Sequence, residues 1–466
     1  MSHKEIPWHR PSWFFGFLLL LALLPLPFGS NRPWASDLFA VLSGLLLFVM
    51  LWDTRNAKPA AGFPPRKRIG LAIIGFSIII FWTFIQVASW PPESWHHPIW
   101  QEAQGLLGPL KGSISVDTGV FAESLLRLTG YGACFLLAFI GGRDNANAAR
   151  LVRVIAMAGV AYALYGLLAQ SMGSDTILWY KKWAYQGFLT STFVNKNTYA
   201  AYAGFGLICG AALLGQRFKH ITITDPLLAK RSKTAALIAS LTLTDYAALF
   251  SLFLILAALA LTGSRGGITS SLIGLMGFFV AMLWHKRSKS PRWLWIGLSG
   301  IILFAFFVAL GGGTLLERLD QNKLGEDMGS RLQAYQLEGQ AISDNPWLGF
   351  GLGSFEPAFR LYRDSSLPIW FHHAHNDYLE MMMDLGVPAA MILFLSLGLL
   401  VSCCVSGLGK RKRDAHYAAI AIGASLLVAT HALLDFSLHI PAFAATYAAL
   451  LGLGVAQSWS LHERES

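Results

Sequence analysis

Of the 466 residues, 54% are hydrophobic and only 13% are charged, about half the charged share of an ordinary soluble domain. Too few Lys, Glu, Asp and Arg are present to cover the cores a soluble chain of this length would build, so lipid must be the solvent for much of its surface. The net charge of +10 does not indicate nucleic acid, because the basic residues cluster between long apolar runs: Arg66-Lys67-Arg68, Lys230-Arg231 with Lys233, Lys286-Arg287 with Lys289, and Lys410 to Arg413. That is the positive-inside pattern.

In chain order, Met1 to Ser30 places basic residues before an apolar run, but Pro25, Pro27 and Phe28 stand where a small-x-small cleavage site belongs. It reads as an uncleaved first span. Runs long enough for about 30 Å of hydrocarbon fall near 12–29, 35–52, 69–90, 119–140, 151–171, 197–215, 241–262, 267–284, 293–311, 387–407, 416–434 and 441–458. Alternate connections and the termini hold 24 of the 36 Lys and Arg, which predicts cytoplasmic N- and C-termini. On the outside, 91–118 carries Trp90, Trp95 and Trp100, and 172–196 carries Trp179, Tyr180 and Trp183, compositions suited to the membrane interface. Residues 312–386 form the longest connection, predicted as a helix (Gly329 to Ser343), a turn through Gly349–Gly353, and a helix from His375 to Leu385. The expectation is an all-α integral membrane protein of about twelve transmembrane helices, with a helical cap on the outside, between spans 9 and 10, which the resemblance given below makes periplasmic. Its parts are spans 1–9 (residues 1–311), the cap (312–386), and spans 10–12 with the C-terminus (387–466). Cys134, Cys209, Cys403 and Cys404 all lie in apolar runs, away from any loop disulfide or zinc knuckle.

Arg265 interrupts a long apolar stretch within Leu261-Thr-Gly-Ser-Arg-Gly-Gly267. An arginine at that depth needs an anion or a water-filled cavity, or snorkels to headgroup phosphates. Arg331, near the start of the first loop helix, is either a solvated helix face or the second half of a clamp that holds a diphosphate by charge-assisted hydrogen bonds. In His372-His-Ala-His-Asn-Asp-Tyr-Leu-Glu380, helical spacing puts His373, Asp377, Glu380 and Asp384 on one polar stripe. The histidines suggest a metal, but His-His-x-His is not a three-ligand helical spacing, and a fourth ligand would have to come from His96, His97 or His439. General-base work by an imidazole oriented by Asn376 or Asp377 is the preferred reading; capping of the loop is the structural alternative. Asn195, Lys196 and Asn197 stand at the mouth of the sixth span. His431, Asp435 and His439 recur at i, i+4 and i+8 on the eleventh. Either set is an interhelical hydrogen-bond network or part of a site.

The motifs Phe-Val-Asn-Lys-Asn-x-Tyr-Ala (193–200), Ser-Arg-Gly-Gly (264–267), Gly-Ser-Arg-Leu-x-x-Tyr (329–335), Asn-Pro-Trp-Leu-Gly-Phe-Gly-x-Gly-Ser-Phe (345–355) and His-x-His-Asn-Asp-Tyr-Leu-Glu (373–380) resemble, in this order, those of the O-antigen ligase and polymerase superfamily. His-Ala-Leu-Leu-Asp-Phe-Ser-Leu-His-Ile-Pro (431–441) also resembles a motif of many members. The resemblance covers about 190 to 441; the first five spans match in topology alone. It implies a metal-independent, inverting glycosyltransferase of the bacterial inner membrane, without cofactor. Such an enzyme moves a glycan from undecaprenyl diphosphate to an acceptor hydroxyl on the periplasmic side. The acceptor is lipid A-core in ligases and another lipid-linked repeat in polymerases. Carried onto this chain, Arg265 and Arg331 hold the diphosphate and His375, or His373, activates the acceptor. Asn195, Lys196, Asn197, Asn376, Asp377, Glu380, Asp435 and His439 are then substrate-binding candidates. A transporter or flippase and a membrane metallohydrolase are the competing classes; protein O-oligosaccharyltransferases share the superfamily.

Overall fold

The computed structural model describes residues 12–55, 66–220, 239–285, 321–364, 367, 370–411 and 413–459. The expected ninth span at 293–311 and the basic clusters at 230–233 and 286–289 lie outside the described residues, as do both chain ends. Apart from a two-stranded antiparallel hairpin, β1 (Thr176–Ile177) with β2 (Tyr180–Lys181), the described chain is helical. Its helices are α1 (Ser12–Leu23), α2 (Pro33–Thr54), α3 (Arg66–Val87), α4 (Ile99–Leu107), α5 (Phe121–Gly141), α6 (Asn145–Ser171), α7 (Lys196–His220), α8 (Leu243–Leu261), α9 (Arg265–Trp284), α10 (Gln321–Asp344), α11 (Phe355–Tyr362), α12 (Asp377–Leu385), α13 (Val387–Lys410), α14 (His416–His431) and α15 (Pro441–Ala456).

Eight of these, α2, α3, α5 to α9 and α13, are long and apolar enough to cross a bilayer; α1, α14 and α15 are apolar but shorter. The distribution of side chains fits a lipid solvent. On α2, Ala35, Phe39, Ser43 and Met50 are buried, while Val41, Leu45, Phe48 and Trp52 are exposed. One stripe packs and the other is left to hydrocarbon. Helix α15 is buried along its entire length, which puts it at the centre of the bundle.

Close helix crossings depend on small residues, because packing rather than water exclusion drives association in lipid. Where α9 meets α14, a Cβ on Gly274 would stand 2.7 Å from the Gly423 carbonyl oxygen, and one on Gly423 would stand 2.6 Å from that of Gly274. The two backbones therefore touch. That contact holds the first residues of α9 beside the last of α14, where the polar motifs gather.

Between α9 and α13, the described residues add α11 to the two helices expected from the sequence. The connection from α10 to α11 wraps the end of α12: Phe350 N and Gly351 N donate to the Met383 and Asp384 carbonyls at 2.9 Å. Gly349 has φ +69°, and a Cβ there would stand 2.4 Å from Gly386 N, so no other residue fits. Ala334, Ala341, Phe350, Phe355, Phe359, Phe371 and Met383 bury one another in a separate small core.

Candidate active site

The segment from His431 to His439 is the hub. It does not continue α14 as the i, i+4, i+8 spacing predicts: the helix stops at His431 and a short 3-10 turn occupies Ser437–His439. The three side chains consequently diverge. His431 meets Ser437 Oγ at 2.9 Å and Ser270 Oγ at 3.3 Å; Asp435 faces His375 and His439 faces Glu380.

Helix α12 likewise begins two residues later than expected. Asn376 is its N-cap, its side chain accepting from Tyr378 N at 3.0 Å and Leu379 N at 3.2 Å. This is helix-starting chemistry and leaves Asn376 turned away from the imidazoles. His375, just ahead of the cap, has φ +53°, a left-handed conformation costly for a residue with a side chain. The Tyr335 hydroxyl holds it there by donating to the His375 carbonyl at 2.9 Å.

His375 is oriented by Asp435, not by Asn376 or Asp377. Its Nδ1 lies 3.1 Å from Asp435 Oδ1. Asp435 is buried and also accepts from Asn197 Nδ2 at 2.6 Å, Phe436 N at 2.8 Å, and Asn195 Nδ2 at 3.3 and 3.4 Å. Burial pulls its pKa up, but the His375 and His431 imidazoles and the Phe436 N–H outweigh it, so the carboxyl is held far below its usual range. An ionised carboxylate only accepts, so it is Nδ1–H that faces Asp435, and Nε2 is the ring nitrogen left for another partner. Asn195 and Asn197 thus brace Asp435.

His373 is not on the helix stripe; it reaches Glu380 from the preceding loop, Nδ1 to Oε1 at 2.8 Å. Ala374 N donates to the other Glu380 oxygen at 2.8 Å, and His439 Nε2 is 3.2 Å from Oε1. Asp377, Glu380 and Asp384 do share one buried face of α12, joined by Glu338 from α10. Four carboxyls so close in a dry interior cannot all ionise. Burial raises Glu380, but His439, His373 and the Ala374 N–H overcome it and hold it at about 2. Burial, then Glu380, raises Asp377 and Asp384 well above the ordinary range. Burial lowers His439 to about 3. The negative charge of this carboxyl cluster therefore resides on Glu380. The ligand-capable atoms of His373, Glu380 and His439 lie within 4.8 Å of one another, so these three are the described residues that could hold a metal. Of His96, His97 and His439, the three named for an extra ligand, His439 is the one in this group, and of the three clustered histidines it contains His373 alone.

Glu338 is fully buried, and neither oxygen has a hydrogen-bond partner among the described residues. Burial, with repulsion from Glu380, pushes its pKa up to about 9. Between the ordinary value and 9 the folded chain keeps a proton that the unfolded chain releases, so stability falls as pH rises through that window. Glu338→Gln is expected to remove that slope. Its melting temperature in detergent should exceed that of the parent by a gap that widens from pH 5 to pH 9. Parallel curves would show that Glu338 ionises normally.

The cations converge on the same hub. The turn from α8 to α9 has Gly263 at φ +58°, and the Ser264 hydroxyl caps α9 by accepting from Gly267 N at 3.0 Å. Arg265 is the first residue of α9 and is exposed. Its neighbour Gly266 lies against Leu434, which a Cβ there would meet at 3.3 Å. Arg331 comes from α10 to the same place and donates to the Leu434 carbonyl at 3.0 Å. Lys196 lies over the Phe188 ring at 3.5 Å, with its Nζ 3.5 Å from the Gly263 carbonyl oxygen.

Two residues passed over in the sequence belong to this region. Phe436 stands between the imidazoles, with ring centroids 4.5 Å from His373 and 4.9 Å from His375. Arg127, in α5, lines a cavity with His373, Glu380 and His439. A cation inside the fourth apolar run was the available signal for it.

Residues 250–394 match the family model described as O-antigen ligase, a stretch that includes Arg265, Arg331 and the 373–380 motif but stops short of Asp435 and His439. No curated protein matches the chain.

Proposed function

We propose that this chain, whose residues 250–394 match the O-antigen ligase family model, is a member of the O-antigen ligase and polymerase superfamily and acts as an O-antigen ligase. It transfers a glycan from undecaprenyl diphosphate to a hydroxyl of lipid A-core, on the periplasmic side of the inner membrane with both termini cytoplasmic. The observation that carries this reading is the convergence on 431–439 of a carboxylate-oriented imidazole, the Arg331 guanidinium and the turn that bears Arg265, whose neighbour Gly266 lies against Leu434.

The proposed chemistry follows from what each group offers. Arg265 and Arg331, with Lys196 nearby, hold the diphosphate and stabilise the charge it gains, which fixed donors do without reorganising. The acceptor hydroxyl attacks the anomeric carbon from the face opposite the diphosphate. Its oxygen forms the new glycosidic bond, the bond from the anomeric carbon to the phosphate oxygen breaks, and that electron pair stays on the lipid diphosphate. The configuration inverts. The hydroxyl proton passes to Nε2 of His375, and Asp435 stabilises the imidazolium. In this mechanism fixed cations carry the role a metal ion takes elsewhere.

Deleting the gene and running the host's lipopolysaccharide on a silver-stained gel tests the assignment. A ligase predicts intact core, no glycan-bearing bands and accumulation of lipid-linked polymer. A single repeat on the core would make the chain a polymerase, and an unchanged ladder would remove both O-antigen roles.

A further inference from the structure

Beside the polar centre lies a cavity of about 350 Å³ whose lining includes Arg127, Glu356, Arg360, His372, His373, Glu380 and His439. A second hollow of about 250 Å³ adjoins it, sharing Arg360 and adding Arg363, Asp364 and Trp370. The larger falls within the usual range for small-molecule sites, about 300–1,000 Å³.

The rim is organised in a way that surface packing alone does not require. Glu356 accepts from the Arg360 guanidinium, from Trp370 Nε1 at 3.2 Å, and stands 2.8 Å from His372 Nδ1. One carboxylate thus pins an indole, an imidazole and a guanidinium, yet Trp370 remains 45% exposed. At the inner end, among the described residues Arg127 bonds to its own helix, to Ser124 Oγ at 3.2 Å and Glu123 at 4.0 Å. Fixed flat rings among carboxylates and guanidinium groups suit a polyhydroxyl ligand: ring faces cover the apolar face of a sugar, and charged forks pair with its hydroxyls. A span-borne arginine whose ion pair is a long one to a partly exposed glutamate, and which is next felt by the buried, protonated Asp384, suits an anion.

We propose that this groove, from Trp370 to Arg127, binds the sugar chain of the acceptor and that Arg127 takes an acidic substituent on it, a phosphate ester or a carboxylate. The assignment rests on the transferase reading above. Displacement with inversion sets the acceptor opposite the leaving diphosphate. None of Arg265, Arg331 and Lys196 lines the groove, and through His373 it adjoins Phe436, whose ring also packs on His375, so an acceptor chain lying in it brings its hydroxyl toward that base from outside the cation cluster.

The test uses the full-length protein in nanodiscs with lipid-linked donor and lipid A-core from the source strain. Trp370→Ala is expected to raise the acceptor KM about ten-fold or more, leaving kcat and donor KM within two-fold, with Trp370→Phe restoring most of the affinity. Arg127→Gln should raise the acceptor KM and Arg127→Lys should not. Phosphatase treatment of the acceptor removes the Arg127 effect if the anion is a phosphate ester, and carboxyl reduction removes it if it is a carboxylate; an effect surviving both overturns that part. A rise in donor KM instead, or no change for Trp370→Ala, overturns the groove while the transferase stands. Binding of deacylated core oligosaccharide, read by saturation-transfer NMR, separates the two failures: Trp370-dependent binding without turnover would keep the groove and sink the transferase.

Discussion

Arg265→Ala is expected to lower glycan transfer by about 10²–10³-fold, the usual cost of removing a fixed donor from a developing negative charge, with melting temperature unchanged. Stability should be spared because the Arg265 side chain is exposed and makes no hydrogen bond or ion pair with the described residues. The local fold rests instead on the Ser264 cap and the glycines around it. Arg265→Lys keeps the charge but loses the planar fork that engages two phosphate oxygens, so it should recover only part of the rate. Donor lipid should still co-purify with the lysine variant. Turnover within a few-fold of the parent for the alanine variant would mean that Arg265 merely anchors the helix at the headgroups.

The second large effect is a coupled one. His375→Gln and Asp435→Asn are each expected to cost about 10²–10⁴-fold in kcat, the range for losing a positioned base, whereas the double variant should be no worse than His375→Gln alone. Residues that act as one unit are grossly non-additive, and Asp435 works here only through His375 Nδ1, 3.1 Å away. Asparagine keeps the shape of the carboxylate but presents an N–H where acceptors are needed by Asn197, Phe436 and His375. Multiplying losses in the double variant would assign Asp435 a separate task, such as holding substrate. Asn197→Ala should give a smaller loss of the same kind, because Asn195 and Phe436 still hold Asp435.

Within the site, single motifs were more legible than their connections. His375, Arg265 and Arg331 stand out in the chain because each is a polar group beside apolar or glycine-rich sequence. Their orientation was not legible. The sequence pointed to Asn376 or Asp377 as the partner of His375, since these are its neighbours, but Asn376 is consumed by the cap of α12. The actual partner is 60 residues away. The polar stripe through His373 failed for a related reason: the helix starts at Asp377, and His373 finds Glu380 by folding back from a loop.

The helical class and the positions of the apolar helices follow from the sequence by itself. Lipid forces each crossing segment to satisfy its own backbone hydrogen bonds, so about 20 consecutive apolar residues declare a span whatever its neighbours do. Eleven of the twelve expected runs coincide with described helices, eight of them long and apolar enough to cross a bilayer and three shorter, and the run at 293–311 lies outside the described residues. The pairing of His375 with Asp435 was decided only in three dimensions. Asn195 reaches Asp435 across 240 residues, and Gly274 against Gly423 brings α9 to α14 closely enough to set Gly266 beside Leu434. Such side-chain pairs depend on which helices touch and at what height. In lipid that is set by small-residue packing rather than by apolar pattern, so it carries no periodicity that can be read along the chain.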